Sequence, residues 1–193
     1  MKEKVKNWSE EELITRCARG ERKAQQVLYE RFCRKMYVVA LRYSKTTFEA
    51  EDILQESFIK VFAAIGSFKG DSTLEYWIKR IVINTALKHT RKLLDKTPME
   101  DVDEINEEPF SYISADESYD FKELLEVIRK LSPGYQAVFN LYAIEGYKHH
   151  EIAEMLGISE GTSKSQYARA KALIQKMLAR EEEKAYAKQR ENL

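Results

Sequence analysis

The sequence predicts an all-α protein of two small helical domains joined by an acidic linker. Apolar residues recur at intervals of three and four through residues 9–94 and again through residues 118–180, which is the period of one helix face. The segment between these blocks, residues 95–117, holds two of the three prolines and has no helical period. No segment shows the alternation of a half-buried strand, so we expect helices only.

Length and composition favour one or two small domains outside the membrane. The chain has 193 residues, and its two cysteines, Cys17 and Cys33, are too few for a disulfide scaffold. The longest uncharged run, Leu131 to Ile144, is shorter than the ~18 apolar residues that a membrane span needs. The N-terminal residues alternate Lys and Glu and lack the apolar core of a signal peptide. We therefore expect a cytoplasmic protein without membrane insertion.

The first block divides into four helices at its capping residues. Ser9 with Glu12 forms a capping box for the first helix, which ends at Gly20. The second helix runs from Glu21 to about Ser44. Its predicted core residues are Ala24, Leu28, Phe32, Met36, Val39 and Tyr43.

The third and fourth helices begin at similar capping boxes. Thr46 with Glu49 starts a helix that ends at Gly66, and Ser72 with Glu75 starts one that runs to about Leu94. The apolar stripe of the third helix consists of Leu54, Phe58, Val61 and Ile65. The stripe of the fourth consists of Leu74, Trp77, Ile78, Ile81 and Thr85, and we expect Trp77, Ile78 and Ile81 in the core.

The second block also reads as helices. Ser132 before Pro133 marks a helix start with proline at its first position, and this helix ends at Gly146. A helix over residues 148–156 ends at Gly157, and a last helix begins after Ser159 and runs to about Ala187. We expect the highly charged residues 181–193 to fray. A first helix in this block carries the apolar stripe Phe121, Leu124, Leu125, Ile128 and Leu131.

A helix-turn-helix pattern lies within the second block. Ala153 is small where two helices cross closely, and Gly157 can take the positive φ that a short turn requires. The short polar and cationic side chains on the second helix suit phosphates and base edges in a major groove. An ordinary helical hairpin is the alternative. The residues predicted on the exposed face are Thr162, Lys164, Ser165, Gln166 and Arg169.

The formal net charge of zero hides an uneven distribution. Residues 1–94 carry 19 Lys and Arg against 12 Asp and Glu, residues 95–128 carry 2 against 12, and residues 129–193 carry 11 against 8. Two basic blocks around an acidic stretch indicate two surfaces for a polyanion, unless the charges are merely solvated.

In the first block, a loop presents Phe68 before a basic helix, so that an aromatic ring could stack on unpaired bases.

The sequence gives little support for catalysis. Asp52, Gln55 and Glu56 share one helix face, but no nucleophile, glycine-rich phosphate loop or metal set accompanies them. The adjacent His149 and His150 point to different faces and make a poor chelate. The two cysteines lack zinc-ligand spacing, and we expect them to be small buried residues. We expect no catalytic residue, no metal and no cofactor.

Taken together, these signals resemble the bacterial RNA polymerase sigma factors of the extracytoplasmic-function (ECF) group, over about residues 9–180. The resemblance implies a four-helix promoter-melting domain in residues 1–94, the acidic flexible linker 95–117, a helix-turn-helix −35 domain in residues 118–180 and a charged tail, 181–193. It also implies the partners: core RNA polymerase through its β′ clamp and β flap, duplex −35 and single-stranded −10 promoter DNA, and an anti-sigma factor.

The resemblance assigns roles residue by residue. The segment 50–60 is similar to the family's clamp-binding helix, and 67–86 is similar to its −10 reader, where a flipped base enters a pocket. Lys164, Ser165, Ala168 and Arg169 occupy positions that touch DNA in relatives. The implied polymerase-binding residues are Glu51, Asp52, Gln55, Glu56 and Phe62. The implied −10 residues are Phe68, Lys79, Arg80, Asn84, Lys88 and Arg91.

Two alternatives stay open at this point. A helix-turn-helix regulator that acts without polymerase would bind duplex DNA tightly on its own, commonly as a dimer. A helical-bundle hydrolase would require carboxylates or histidines clustered around a cavity, which the sequence does not offer.

Overall fold

The computed structural model describes residues 8–96 and 119–191, with side chains over residues 8–92 and 123–180. These described residues contain helices and no strand, which confirms the all-α prediction. The chain divides into two compact units, residues 1–88 and 89–193. Most of the predicted linker and the Phe121 side chain lie outside the described residues. The helices are α1 (Glu10–Ala18), α2 (Arg22–Leu41), α3 (Thr47–Ala64), α4 (Leu74–Lys96), α5 (Tyr119–Lys130), α6 (Pro133–Phe139), α7 (His149–Leu156) and α8 (Glu160–Glu191).

The first and third helices begin at their predicted capping residues. The Ser9 hydroxyl accepts a hydrogen bond from the backbone N–H of Glu12, at 3.1 Å. The Thr46 hydroxyl accepts one from the N–H of Glu49, also at 3.1 Å. The Glu49 carboxylate accepts from the N–H of Lys45, one residue before the cap, at 2.7 Å. Both helix starts are confirmed, because side chains satisfy donors that the helix itself leaves unpaired.

The predicted cap of α4 is wrong by one residue. The Thr73 hydroxyl accepts a hydrogen bond from the N–H of Tyr76 at 3.2 Å, and the Thr73 carbonyl accepts from the N–H of Trp77. Ser72 instead donates its hydroxyl to the Thr73 carbonyl. Glu75 reaches across to α2 and pairs with Lys35 at 2.7 Å. Ser and Thr are both good N-cap residues, and Thr73 is the cap because it directly precedes Leu74, the first residue of α4.

Apolar stripes on α2 and α3 form the centre of the first unit. The α2 residues predicted as core are all buried, as are Leu54, Phe58, Val61 and Ile65 of the third predicted helix. The edge of the Tyr29 ring contacts Phe58 with centroids 4.8 Å apart. The expectation that Trp77 and Ile81 lie in the core is wrong, because both are half-buried. The core side of α4 is formed by Leu74, Ile78, Val82, Ile83, Ala86 and Leu87.

The second unit packs α5 and α6 against α8. Its core cluster consists of Val127, Ile128, Leu131, Tyr135, Ala170 and Ile174. α6 begins at Pro133 with Ser132 at the cap position, as predicted, and continues through a π-helical turn, Asn140–Ile144.

α8 extends to Glu191, four residues past its predicted end, so the tail is helical as far as that residue. No helix in the described part of the chain is long and apolar enough to cross a membrane.

The cap assignment at α4 predicts different effects for two neighbouring substitutions. Thr73→Ala should lower the free energy of unfolding of the first unit by about 1 kcal/mol, because it removes the side-chain acceptor for the Tyr76 N–H. Ser72→Ala should change it by no more than about 0.5 kcal/mol. Both tryptophans, Trp8 and Trp77, lie in the first unit, so urea unfolding followed by tryptophan fluorescence reports on that unit. Equal losses in the two variants would contradict the assignment.

Candidate nucleic-acid and protein interfaces

The solvent-facing side of α3 carries a seam of residues at alternating spacings of four and three. This α3 seam consists of Phe48, Asp52, Gln55, Ile59 and Phe62. Phe48 and Ile59 are 70% and 69% exposed, although both are large apolar residues. A spacing of four and three is the pattern with which one helix packs along another. The seam therefore presents two exposed apolar side chains, Phe48 and Ile59, with an acidic and amide pair, Asp52 and Gln55, between them.

The opposite side of α3 is buried, which holds the seam outward. Ser57 donates its hydroxyl to the Ile53 carbonyl at 2.6 Å, and both residues are buried. At the end of the seam, the half-buried Phe62 ring lies 5.9 Å from the Phe58 ring. Phe48 and Ile59 are not among the polymerase-binding residues predicted from the sequence. The sequence does contain a signal for them, because both are large apolar residues on the polar face of the helix. An apolar side chain on such a face cannot reach the core and stays exposed, which is typical of an interaction site.

The remaining predicted polymerase contacts lie beside the seam. Glu51 is exposed, and Glu56 is half-buried. Glu56 pairs with Lys60 at 2.9 Å, and the Lys60 ammonium also donates to the Thr85 hydroxyl of α4 at 2.9 Å. Glu56 is thus connected to the packing between α3 and α4, and Asp52 and Gln55 are the more accessible polar residues.

Most of the predicted −10 residues share one face of α4. Positions 77, 80, 84, 88 and 91 follow helical spacing, and Arg80, Asn84, Lys88 and Arg91 are exposed. Trp77 is half-buried at the start of this face, and the Phe68 ring packs against it with centroids 5.5 Å apart. The aromatic pair therefore adjoins a row of three cations and one amide, which combines a stacking surface with phosphate-binding groups.

Lys79 lies apart from this row. Its helical position is about 140° from that of Asn84, on the basis of 100° per residue. Its ammonium lies 5.6 Å from the centre of the exposed Tyr76 ring, a cation–π geometry. The structure therefore brings Phe68, Arg80, Asn84, Lys88 and Arg91 to one side and Lys79 to another.

The predicted helix-turn-helix is present in α7, the following turn and α8. Gly157 has φ of +71°, and its N–H donates to the Ala153 carbonyl at 2.9 Å, which ends α7. At the start of α8, the Ser159 hydroxyl accepts from the N–H of Thr162 at 2.9 Å. The Thr162 hydroxyl lies 2.8 Å from the same oxygen, so Thr162 participates in the cap of the helix.

A buried polar contact joins α7 and α8. Ser163 is fully buried, and its hydroxyl lies 3.0 Å from Nδ1 of His149. The His149 ring also stacks on Tyr142, with centroids 4.3 Å apart and planes within 11°. Neither contact could be predicted from the sequence, because the residues that meet are fourteen and seven positions apart. A paired buried hydroxyl restricts how the two helices can cross, since other arrangements would leave it unsatisfied.

Three of the five predicted −35 residues lie on the exposed face of α8, whereas Thr162 is half-buried and Gln166 is buried. Lys164, Ser165 and Arg169 are exposed, and Arg169 Nη1 donates to the Tyr135 hydroxyl at 3.4 Å. Lys164 pairs with Glu160 at 2.7 Å, and this hydrogen bond lowers the pKa of the Glu160 carboxyl.

The prediction that Gln166 is exposed is wrong. Gln166 is 4% exposed and shares the inner face of α8 with Ser163 and Ala170. Its Nε2 would lie 3.3 Å from a Cβ at Gly134, so the missing side chain of Gly134 leaves room for the amide. A polar residue at the edge of the inner face can be exposed or buried, and its neighbour on α6 decides which.

The two cysteines differ in their surroundings. Cys17 is buried, whereas Cys33 is half-buried, so the expectation of two buried cysteines holds for Cys17 only. Burial, together with the nearby Glu21 carboxylate, raises the pKa of the Cys17 thiol to about 11. Among the described side chains, no group of three or more His, Cys, Asp or Glu could hold a metal ion.

Comparison with known proteins gives consistent matches over both units. The family model of sigma-70 region 2 matches residues 28–94, and that of sigma-70 region 4 matches residues 121–174. The chain is 31% identical over 175 residues to the ECF RNA polymerase sigma factor SigM of Mycobacterium tuberculosis, covering 88% of this chain and 85% of SigM. It is also 31% identical to the ECF RNA polymerase sigma-E factor of Escherichia coli K12, covering 84% and 90% of the two chains.

A solved structure has a similar fold. The sigma factor RpoE of Bartonella quintana, solved with the anti-sigma factor NepR, matches with a TM-score of 0.54 and 23% identity. The match covers 80% of this chain and 96% of the RpoE chain.

The environments of the cysteines predict unequal reactivity. At pH 8 a thiol with a pKa of about 11 is thiolate in only about one molecule in a thousand, and the thiolate is the reactive form. A chromogenic disulfide reagent should therefore modify one thiol per native chain rapidly, and the second only after unfolding in urea. The variant Cys33→Ser should lose the rapid phase. Rapid modification of both thiols in the native chain would contradict the burial of Cys17.

Proposed function

The chain belongs to the extracytoplasmic-function RNA polymerase sigma factors, and from this we infer which of its surfaces bind polymerase and which bind DNA. As a member of this family it binds core RNA polymerase, recognises the −35 and −10 promoter elements and initiates transcription. The assignments of individual residues that follow are our proposals.

The α3 seam is the proposed binding site for the β′ clamp. The family resemblance implies that the part of the β′ clamp bound here is a coiled coil. A coiled coil presents residues at alternating spacings of three and four, which complements the spacing of Phe48, Asp52, Gln55 and Ile59. The exposed apolar ends provide burial, and Asp52 and Gln55 between them provide polar contacts that select register and partner. This exposed seam is the observation that carries the proposal, because a free-standing domain gains nothing from two exposed large apolar side chains.

The α4 face is the proposed −10 reader. Phe68 on Trp77 offers an aromatic surface for an unstacked base, and Asn84 offers both a donor and an acceptor. Arg80, Lys88 and Arg91 continue the same face and would follow the phosphates of the single strand. Lys79 lies on another face, which favours the other residues over Lys79 as direct contacts.

The N-terminal turns of α8 are the proposed −35 reader. Lys164, Ser165 and Arg169 are exposed and would contact DNA, whereas the N–H of Thr162 donates to the hydroxyl of Ser159, which caps the helix. Gln166 lies on the buried face of the same helix and would help to position this surface without contacting DNA. The same domain would contact the β flap of the polymerase, as the family resemblance implies.

The remaining inferences follow from this assignment. The protein contributes binding and DNA opening, and the polymerase contributes catalysis, so we propose that the chain has no enzymatic activity, metal or cofactor. Its site of action would be the bacterial cytoplasm, where the polymerase and chromosome are. An anti-sigma factor would inactivate it by covering the α3 seam, since the seam is exposed in the free chain and needed for polymerase binding.

Charge reversal in the seam tests the polymerase assignment. Asp52→Arg should weaken binding to bacterial core RNA polymerase at least tenfold, because it removes a proposed acidic contact in the centre of the seam and reverses its charge. Ile59→Asp should do the same by removing an apolar contact. Affinity can be measured with fluorescently labelled protein titrated with core enzyme, after co-elution of the wild-type chain with core on a sizing column.

The matched control for Asp52→Arg is Glu30→Arg, which makes the same charge change at an exposed position of α2. It should retain wild-type affinity for core. Normal core affinity in Asp52→Arg would refute the seam assignment. Tight and specific duplex binding by the chain without core would instead favour a stand-alone regulator.

The −10 assignment is tested by Asn84→Ala in the reconstituted holoenzyme. It should slow promoter opening about tenfold, because the flipped base loses hydrogen bonds that offset unstacking. Opening can be followed by the fluorescence of 2-aminopurine at the −10 element. Affinity for core should stay unchanged, and a promoter with a preformed −10 bubble should reduce the defect. Wild-type opening kinetics on duplex promoter would contradict the assignment.

A further inference from the structure

α8 continues well beyond the residues assigned to −35 recognition. Residues 161–180 contain five cations and no acidic residue, and three consecutive glutamates, 181–183, end this run. Lys171, Lys176 and Arg180 lie past Arg169, and all three are exposed. We call these three residues the distal cations of α8.

Lys171 and Lys176 lack the compensation that Lys164 has. Lys164 pairs with Glu160 one turn earlier, at 2.7 Å. The residues three and four positions from Lys171 are uncharged, and Lys176 has Arg180 four positions on, a like charge. No ion pair joins Lys171 or Lys176 to another side chain in the described part of the second unit. Like charges at this spacing destabilise a helix, so the arrangement is unfavourable in the free protein.

Packing of α8 leaves these cations on its outward half, with Lys171 on one flank and Lys176 and Arg180 together on the other, about 140° and 180° from Lys171. Ala170 and Ile174 belong to the buried core cluster, and Leu173, Met177 and Leu178 pack against it. The exposed positions between the distal cations hold Ala172, Gln175 and Ala179. This surface therefore lacks the large aromatic or apolar side chain that usually anchors a protein interface, and its charges favour a polyanion.

The length of α8 determines which part of a DNA duplex these cations can meet. From Thr162 to Arg180 the helix is roughly 27 Å long at 1.5 Å per residue. The major groove is about 12 Å wide, so a helix with its first turns in the groove extends its later turns past the groove edge to the sugar–phosphate backbone. In other long recognition helices, the C-terminal end contacts the backbone in this way.

We propose that Lys171, Lys176 and Arg180 bind backbone phosphates of the duplex beside the −35 element. This contact is independent of base sequence and adds affinity to the base readers at the start of the same helix. The inference rests on the proposed function of α8 and extends its DNA surface by about three turns. Phosphates would also relieve the repulsion between Lys176 and Arg180.

The test uses the double variant Lys171→Gln/Lys176→Gln in holoenzyme reconstituted with core polymerase. Binding to a promoter fragment and to a matched fragment with a scrambled −35 element is measured at several salt concentrations. The slope of log K against log salt should become smaller by roughly 2, because each lost phosphate contact removes about 0.9. Affinity for both fragments should fall by the same factor, about tenfold, and core affinity should not change.

The matched control is Arg22→Gln/Lys130→Gln, which makes the same charge change at exposed positions outside α8 and should keep the wild-type slope. The melting temperature of the distal variant should equal or exceed that of wild type, because repulsion is removed; a folding defect would lower it. Arg169→Ala should reduce preference for the intact −35 element.

Three results would overturn the proposal. An unchanged slope would exclude phosphate contacts by these residues. A loss of preference for the intact −35 element would make them base readers. Unchanged DNA binding with reduced transcription would assign them to an acidic protein partner. If the wild-type holoenzyme shows no preference for the promoter, the proposed function itself fails, and the inference fails with it.

Discussion

The apolar stripes that α2 and α3 bury against one another set the rotation of α3 about its own axis. Leu28 and Phe32 on one helix and Phe58 and Val61 on the other are removed from water together, which stabilises the unit by the burial of apolar surface. Because α3 then has only one side left for solvent, its seam of Phe48, Asp52, Gln55, Ile59 and Phe62 faces outward as a row. The proposed polymerase-binding surface is thus a consequence of core packing.

The same constraint operates on α4 and α8, the two helices that we propose read DNA. Leu74, Ile78 and Val82 are buried on α4, which leaves Arg80 and Asn84 in solvent. On α8, Ala170 and Ile174 are buried, which leaves Lys164, Ser165 and Arg169 exposed in the first turns. A rotation of either helix by one residue, about 100°, would bury charges and expose apolar groups, so the rotational position is strongly determined.

The positive charge of the chain is concentrated on particular surfaces, while the molecule as a whole has no net charge. The formal net charge is zero, so the chain has no strong long-range attraction to DNA. The local excesses of positive charge on α4 and α8, which we propose bind DNA, would become effective only when other contacts hold DNA against them. This fits a protein that selects promoters as part of polymerase, since weak contacts at several sites add when they are made together.

The sequence by itself determined the helices, their order and most of their exposed faces. A period of three to four residues and capping residues such as Ser9 and Thr46 act within a few positions of the chain, so they can be read locally. The acidic and amide residues of α3 and the cations of α4 could be assigned for the same reason. The family resemblance supplied their partners, which no local rule contains.

Only the tertiary structure decided the contacts between residues distant in sequence. Gln166 is buried because Gly134 on α6 leaves space for it, and Ser163 is satisfied by His149 on α7. Trp77 is half-buried and receives the Phe68 ring from the preceding loop, which links the aromatic group to the cationic face of α4. Each of these outcomes depends on which side chain a neighbouring element brings near. Helical period fixes a residue's direction on its own helix, but burial and pairing depend on what lies opposite.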